Sequence, residues 1–456
     1  MNKLLKVAIV GAGPSGLYSA DHLLNATDFD VRVDIIDRMP TPWGLVRYGV
    51  APDHPEKKQI TDRRFEAVIR HPLVRFIGNV EIGKDVTHED LSSAYHAVIY
   101  AIGSADDRHL GIPGEDLQGC WGAREFVGWY NGHPDYSDLK FDLTSERAVI
   151  IGNGNVALDM ARILVTQVEE LRRSDIADYA LEALHKSRIK EVLILGRRGT
   201  QQAAFHSQML QEFTTLPGVD IRLKGDDDLI HPGQPGYEDL DWETGMKMQV
   251  LSAIKANESS NCKGDKLITL GFLRSPALVI GNDRVESLET VANRLQQEAG
   301  GKMAAVPTDE KQEISTGLIF RSIGYLGRPL SGLPFDQAKG IIENNAGRVQ
   351  AGNHEGPGVY VTGWARRGPS GVIGSNRKCA GETVDSLLSD AQDGLLNQFV
   401  EISDIWKNQK LKTVSLQGWQ KIDAYERQQG RSQQRPRIKL TNRAALLNCT
   451  AGMAER

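Results

Sequence analysis

The chain has 456 residues, enough for two or three domains with well-buried cores. Its formal net charge of -5 argues against a general nucleic-acid binder, and no apolar run approaches the roughly 18 residues that a membrane helix needs. Four cysteines, Cys120, Cys262, Cys379 and Cys449, lie far apart with no CxxC pair, which excludes a dithiol relay or zinc ribbon and argues against an iron–sulfur cluster in this chain.

The first run, MNKLLKVAIV, begins like a signal peptide but stops at a glycine turn with no small-residue cleavage site. This points to the cytoplasm, with all four thiols reduced. LLKVAIV reads as a strand, GAGPSG (11 to 16) fits G-x-G-x-x-G, and LYSADHLL reads as the following helix. Gly11 allows the tight turn, Gly13 lets the backbone approach a pyrophosphate, and Gly16 lets helix and strand pack closely. A second strand, VRVDIID, ends in Asp37, placed to bond a ribose hydroxyl. A free 2′-hydroxyl there means FAD or NAD. YHAVIYAIGS (95 to 104) is a further short strand, where the chain would cross between nucleotide domains.

The same unit recurs at residue 147 in RAVIIGNGNVALDMARIL. Gly152 and Gly154 supply the turn, Ala157 takes the third position, and VALDMARILV carries helical spacing. SDIADYALEALHKS reads as an extra helix, after which the strand EVLILG leads into Arg197 and Arg198. That position holds no acid to repel a 2′-phosphate, and a guanidinium fork matches a phosphate dianion. The pairing is FAD first and NADPH second, in an α/β chain with two dinucleotide-binding (Rossmann-like) domains. Near the end, GPGVYVTGWARRGPSGVIGSN (356 to 376) reads as a strand and a glycine-rich loop facing a cofactor.

These residues together resemble the adrenodoxin reductase family of NADPH–ferredoxin reductases, in its bacterial form. The resemblance spans almost the whole chain through PTPWGLVRYGVAPDHP (40 to 55), FVGWYNGHP (126 to 134), IGNGNVALDMARIL (151 to 164), GRRG (196 to 199) and GWARRGPSGVIGSN (363 to 376). It implies an FAD domain made of residues 1–106 and 328–456, with an NADPH domain, 107–327, inserted. It implies FAD contacts at Gly16, Asp37, Leu45 and Val80, and contacts near the flavin ring at Trp364, Gly371, Val372 and Ile373. NADP contacts are implied at Asn153, Gly154, Asn155, Val156, Arg197 and Arg198, with Arg108 on the same side. There are departures from the family pattern. Met209 stands where a glutamate would bond the NADP ribose, Thr200-Gln201 replaces a proline-leucine pair, and Asp37 stands where glutamate is common.

The implied reaction passes hydride from NADPH to flavin and single electrons to a small iron–sulfur protein. His54 and Glu212 match a histidine and an acid near the flavin, with the role of moving the accompanying proton. Ferredoxins are usually acidic, so a local basic patch is expected, with the neighbourhood of Arg197 and Arg198 (occupied by the phosphate), Arg366 and Arg367, and the tail ERQQGRSQQRPRIKL as candidates. Three other readings remain at this point: an FAD- and NADPH-dependent monooxygenase or oxidase, the electron-input subunit of a larger reductase, and a redox-silent flavin sensor. No coiled coil argues against a monomer.

Overall fold

The computed structural model describes residues 3–258, 264–349, 357–371, 374–396, 405–408 and 411–451. The chain divides into two compact units: Met1–Asp106 with Asn131–Ser137 and Tyr325–Arg456, and Asp107–Tyr130 with Asp138–Gly324. Val372, Ile373 and Cys262 lie outside the described residues. Among the described residues, Cys120, Cys379 and Cys449 are free thiols, and no helix is long and apolar enough to cross a membrane.

The first unit is built on an eight-stranded sheet. Its central strand β1 (Lys3–Val10) runs parallel to β2 (Phe29–Asp37) on one side and to β4 (Ala97–Tyr100) on the other, and β3 (Val74–Gly78) extends the sheet beyond β2. A strand flanked on both edges and covered on both faces must be apolar along its length. Val7, Ala8, Ile9 and Val10 of β1 are accordingly buried in succession. Helix α1 (Pro14–Leu24) opens with proline at its first turn, where the missing amide costs nothing. It buries Leu17, Tyr18, Ala20 and Leu23 and packs on the helix Ser375–Gln392, where Gly381 gives the room beside His22.

A buried ion pair ties the helix Leu416–Arg431 to this frame. Glu426 is fully buried and accepts from Arg47 at 2.5 Å, from Arg437 at 3.2 Å and from the Leu440 amide at 2.9 Å. Arg47 lies within GLVRYG, its guanidinium 5.4 Å from the Trp419 ring and 5.1 Å from the Tyr48 ring. Burial alone would lower the pKa of Arg47, but Glu426 and Tyr48 outweigh it and hold the value above the usual range. The segment Asn131–Ser137 also belongs here, through the T-shaped His133–Tyr48 pair and the Arg38–Asp135 ion pair at 2.7 Å.

The second unit has a six-stranded, wholly parallel sheet. Its strands are β5 (Cys120–Gly122), β6 (Arg147–Ile151), β7 (Glu191–Leu195), β8 (Val219–Lys224), β9 (Lys266–Gly271) and β13 (Leu318–Arg321), in the order β5-β13-β6-β7-β9-β8. Helix α2 (Asn155–Val165) follows β6, and α3 (Ser207–Phe213) lies beyond β7. The extra helix expected between β6 and β7 is present as Asp178–His185. An antiparallel meander of β10 (Arg274–Ile280), β11 (Ser287–Gln297) and β12 (Met303–Ser315) completes the unit.

Removing one partner of a buried ion pair strands the other charge in a low-dielectric interior. Glu426→Ala is therefore expected to destabilise the first unit by about 3–5 kcal/mol in urea unfolding, well beyond an exposed Glu→Ala control such as Glu89→Ala.

Candidate functional site

Both units form the same turn at the carboxyl end of a central parallel strand. Gly11 has φ +112° and Gly152 has φ +114°, values that a side chain would strain. A Cβ would also lie 2.4 Å from the Ala101 carbonyl oxygen at Gly11 and 2.1 Å from that of Ser322 at Gly152. Each turn is tied to the next strand, by Gly11 N–H to the Ile36 carbonyl at 2.7 Å and by Gly152 N–H to the Leu195 carbonyl at 2.8 Å. The helix that follows begins in both cases at a glycine N-cap with no side-chain cap, leaving its first amides directed at the turn.

Those N-cap glycines, Gly13 and Gly154, are not required by the fold. Their φ values of -82° and -91° suit any residue. A Cβ on Gly13 would come no nearer than 3.9 Å to other atoms, and one on Gly154 would meet nothing within 4 Å. Glycine there keeps open the space over the helix amides, which fits a pyrophosphate at each turn. Gly16 serves helix–strand packing instead, since its Cβ would lie 2.0 Å from the Gly11 carbonyl.

In the first unit, Asp37 at the end of β2 accepts from the Ala12 amide at 2.7 Å and the Met39 amide at 2.8 Å. Burial pushes its carboxyl above the ordinary range, against the pull of the Met39 and Ala12 amides. Its remaining lone pairs are available to a hydroxyl donor. Leu45 is exposed at the first turn of the helix Leu45–Tyr48, and Val80 is buried, its amide bonded to the Asp37 carbonyl at 3.0 Å. Trp364 stacks with Tyr325 at 6.0 Å and donates to the Ser370 carbonyl. Gly371 has φ +79° and faces Ser375. His54 is buried at the N-cap of the helix Pro55–Lys58, in contact with the Lys57 ammonium through Nδ1. An ammonium can only donate, so Nδ1 accepts and the ring proton sits on Nε2.

Sequence reasoning overlooked two elements of this cradle. Gly44, with φ +48°, brings a second backbone segment up to Gly13, since a Cβ on Gly44 would lie 3.0 Å from Gly13 Cα. Gly363 abuts Ser15 of α1 in the same way. The signal for Gly44 lay in PTPWGLV, a motif from which only the leucine was singled out.

In the second unit, β6 and β7 pair in register, Ile151 opposite Leu195, so the two ends bearing Gly152 and Gly196 are neighbours. A Cβ at Gly196 would lie 2.3 Å from Asn153 Nδ2, so the asparagine side chain closes over the start of the arginine turn. Asn155 accepts from the His206 amide at 2.8 Å, and Val156 follows at the first turn of α2. Among the described residues neither Arg197, which is exposed, nor Arg198, half-buried, makes an ion pair. Arg147, Arg162, Arg274, Arg284 and Arg321 of this unit do, whereas Arg108, Arg172, Arg173, Arg188 and Arg294 likewise make none among the described residues. What sets Arg197 and Arg198 apart is their place at the strand end beside the second glycine turn, where two guanidinium groups suit a phosphate dianion. Met209 is buried on α3 and offers no ribose acceptor. Glu212, on the same helix, accepts from the buried Arg162 at 3.3 Å.

Of the docking candidates in the first unit, most are engaged within it, whereas Arg431 is exposed and makes no ion pair among the described residues. Arg366 pairs with Glu382 at 3.1 Å, Arg367 donates to Asn376 at 2.8 Å, and Arg437 pairs with Asp423 and Glu426. Arg435 and Lys439 are buried. At the start of the second unit, the Arg108 amide bonds the Gly324 carbonyl at 3.0 Å. Beside it Asp107 accepts from the Arg124 amide and lies against Gly122, and burial pushes its carboxyl up to about 6 despite Arg124 and Arg321.

Residues 5–225 match the pyridine nucleotide-disulphide oxidoreductase family. The chain is 43% identical over 463 residues to the NADPH-ferredoxin reductase FprA of Mycobacterium tuberculosis, covering 98% of this chain and 99% of the relative. It is 42% identical to the mitochondrial NADPH:adrenodoxin oxidoreductase of Arabidopsis thaliana, over 98% of this chain and 95% of the relative. The solved structure of Mycobacterium tuberculosis FprA in complex with NADPH superposes with a TM-score of 0.93 at 42% identity, covering 99% and 100% of the two chains.

Gly154→Ala should leave the unfolding midpoint within about 2 °C of wild type yet weaken an adenine dinucleotide at the second turn at least ~10-fold in calorimetry, since the methyl group fills only ligand space. Asp107 gives a pH signature. Its folded pKa is raised, so its contribution to stability is complete below the ordinary carboxylate range and is lost as pH rises through about 6. The stability of Asp107→Asn relative to wild type should therefore climb between about pH 4 and about pH 6.5, by roughly 1–3 kcal/mol, and level off above.

Proposed function

The chain belongs to the adrenodoxin reductase-type NADPH–ferredoxin reductases, and from that premise we propose how its residues do this work. It is an FAD-containing oxidoreductase that moves electrons between NADPH and a ferredoxin-type iron–sulfur protein. We assign FAD to the first unit and NADPH to the second. The observation that carries the assignment is the contrast at the two strand ends: Asp37, held by two backbone amides, against Arg197 and Arg198, which make no ion pair among the described residues. An anion accepts from a free ribose hydroxyl, whereas a pair of guanidinium groups selects the 2′-phosphate.

In this reading Gly11 and Gly13 seat the FAD pyrophosphate on the amides of α1, Gly16 lets that helix pack close to the strand, and Gly44 closes the far side. Leu45, Val80, Trp364 and Gly371 are FAD contacts, and the family pattern adds Val372 and Ile373. When bound, FAD supplies a two-electron acceptor for hydride that can release its electrons one at a time. Asn153, Gly154, Asn155 and Val156 seat the NADPH pyrophosphate on α2, with Arg108 as a further contact. His54 offers Nε2–H as a hydrogen-bond donor, its tautomer set by Lys57. Glu212 offers a carboxylate held by Arg162, suited to accept a proton. With no CxxC pair in the sequence, a dithiol does not take part.

We infer further that the partner ferredoxin is acidic, and that the protein works as a cytoplasmic monomer. Internal engagement of Arg366, Arg367 and Arg437 leaves the exposed Arg431 as the docking cation of the tail. The monooxygenase or oxidase reading is not favoured, because identity to ferredoxin and adrenodoxin reductases runs over nearly the whole chain.

Anaerobic stopped-flow should show NADPH bleaching the bound flavin much faster than NADH, followed by electron transfer to an added ferredoxin. Rapid NADPH consumption with oxygen alone, unchanged by ferredoxin, would overturn this reading. Arg197→Ala combined with Arg198→Ala should cost about 2–4 kcal/mol of NADPH binding and leave NADH nearly unaffected, from two charge-assisted contacts with some non-additivity. Equal loss for both would refute the phosphate assignment.

A further inference from the structure

Arg197 and Arg198 stand on a turn whose peptides are each held from elsewhere in the second unit. The Gly196 carbonyl accepts from the Arg274 amide at 3.1 Å, the Arg197 carbonyl from Asn293 Nδ2 at 2.8 Å, and the Arg198 carbonyl from the Leu273 amide at 3.1 Å. Downstream, the Thr200 amide and hydroxyl both donate to Asp228. A strand end that carries two like charges has reason to splay, and these bonds fix it instead.

Asn293 is the side chain in this set that reaches an arginine peptide. It is 7% exposed on β11, at a shift of register between Val291 and Asn293 that turns the strand locally. Its orientation is decided by chemistry: the Arg197 carbonyl can only accept, so Nδ2 must face it. The second Nδ2 hydrogen goes to Ser275 Oγ at 2.9 Å. Its own amide donates to the Leu273 carbonyl at 2.7 Å, and Leu273 adopts φ +55°, a left-handed conformation costly for leucine. Leu273 thus bonds the Arg198 carbonyl through its N–H and the Asn293 amide through its C=O. The strain at Leu273 is maintained where the meander meets the arginine turn.

We propose that Asn293 is a positioning residue for cofactor choice: it fixes the backbone beneath Arg197 and Arg198 and so sets the preference for NADPH over NADH. This rests on the reading of the two arginines as the 2′-phosphate site. Long arginine side chains lose freedom when they close on a phosphate. Anchoring their Cα atoms in advance reduces that loss and aims both guanidinium groups at one point. NADH has no 2′-phosphate, so its binding does not draw on this anchoring.

The test compares adenosine 2′,5′-bisphosphate with adenosine 5′-monophosphate by calorimetry on the FAD-loaded full chain, a binding readout independent of hydride transfer. Asn293→Ala, and Asn293→Leu to preserve volume, should weaken the bisphosphate about 3- to 10-fold, the worth of one hydrogen bond, and change the monophosphate less than about twofold. In turnover, KM for NADPH should rise with kcat at saturation retained. Equal weakening of both nucleotides, or no change in either variant, would overturn the proposal. The double variant Arg197→Ala with Arg198→Ala separates the two levels. If it leaves the bisphosphate preference intact, the phosphate assignment itself fails; if it abolishes the preference while the Asn293 variants keep it, only the role of Asn293 fails.

Discussion

The structure depends on one close approach, made twice. At Gly11 and at Gly152 the chain leaves a parallel strand with positive φ, pressed against the carbonyl of a neighbouring strand end. No side chain fits there. The turn this forces delivers the next helix with its free amides over the strand ends, where open strand–helix sheets bind their ligands. Everything assigned to cofactor binding, the open N-caps at Gly13 and Gly154 and the polar groups on the adjoining strands, takes its position from that contact.

Next to the common turn the two units differ in charge at the end of the adjacent strand. In the first, two backbone amides hold a carboxylate, Asp37, that still has acceptor capacity. In the second, the equivalent strand runs on into two cations without ion-pair partners among the described residues. In the proposed assignment the same backbone plan serves two nucleotides, with the choice made by side-chain charge. Met209 is buried where the family pattern has a ribose-bonding acid, and the proposed assignment places more of that choice on the arginine turn, anchored by Asn293.

How much of this was legible in the sequence follows from the range of each interaction. The glycine turns, the helices after them and the charges at Asp37, Arg197 and Arg198 sit within a few residues of one another, so their spacing announced them. Asn293 acts across 96 residues and Glu426 across 379, and no local pattern reports such a partner. Charge was legible, but not its commitment: Arg366, Arg367 and Arg437 read as docking cations, yet their guanidinium groups are spent within the first unit. Gly44 stands inside the PTPWGLV motif, but its closeness to Gly13 arises only when the sheet brings the two segments together.

The central claim is two separate dinucleotide sites, one per unit. Its most direct test is a titration of the FAD-loaded chain with NADP+, following heat and flavin absorbance together. The account predicts one NADP+ bound per chain with FAD fully retained. Displacement of FAD by NADP+, or saturation with FAD at two per chain, would contradict it.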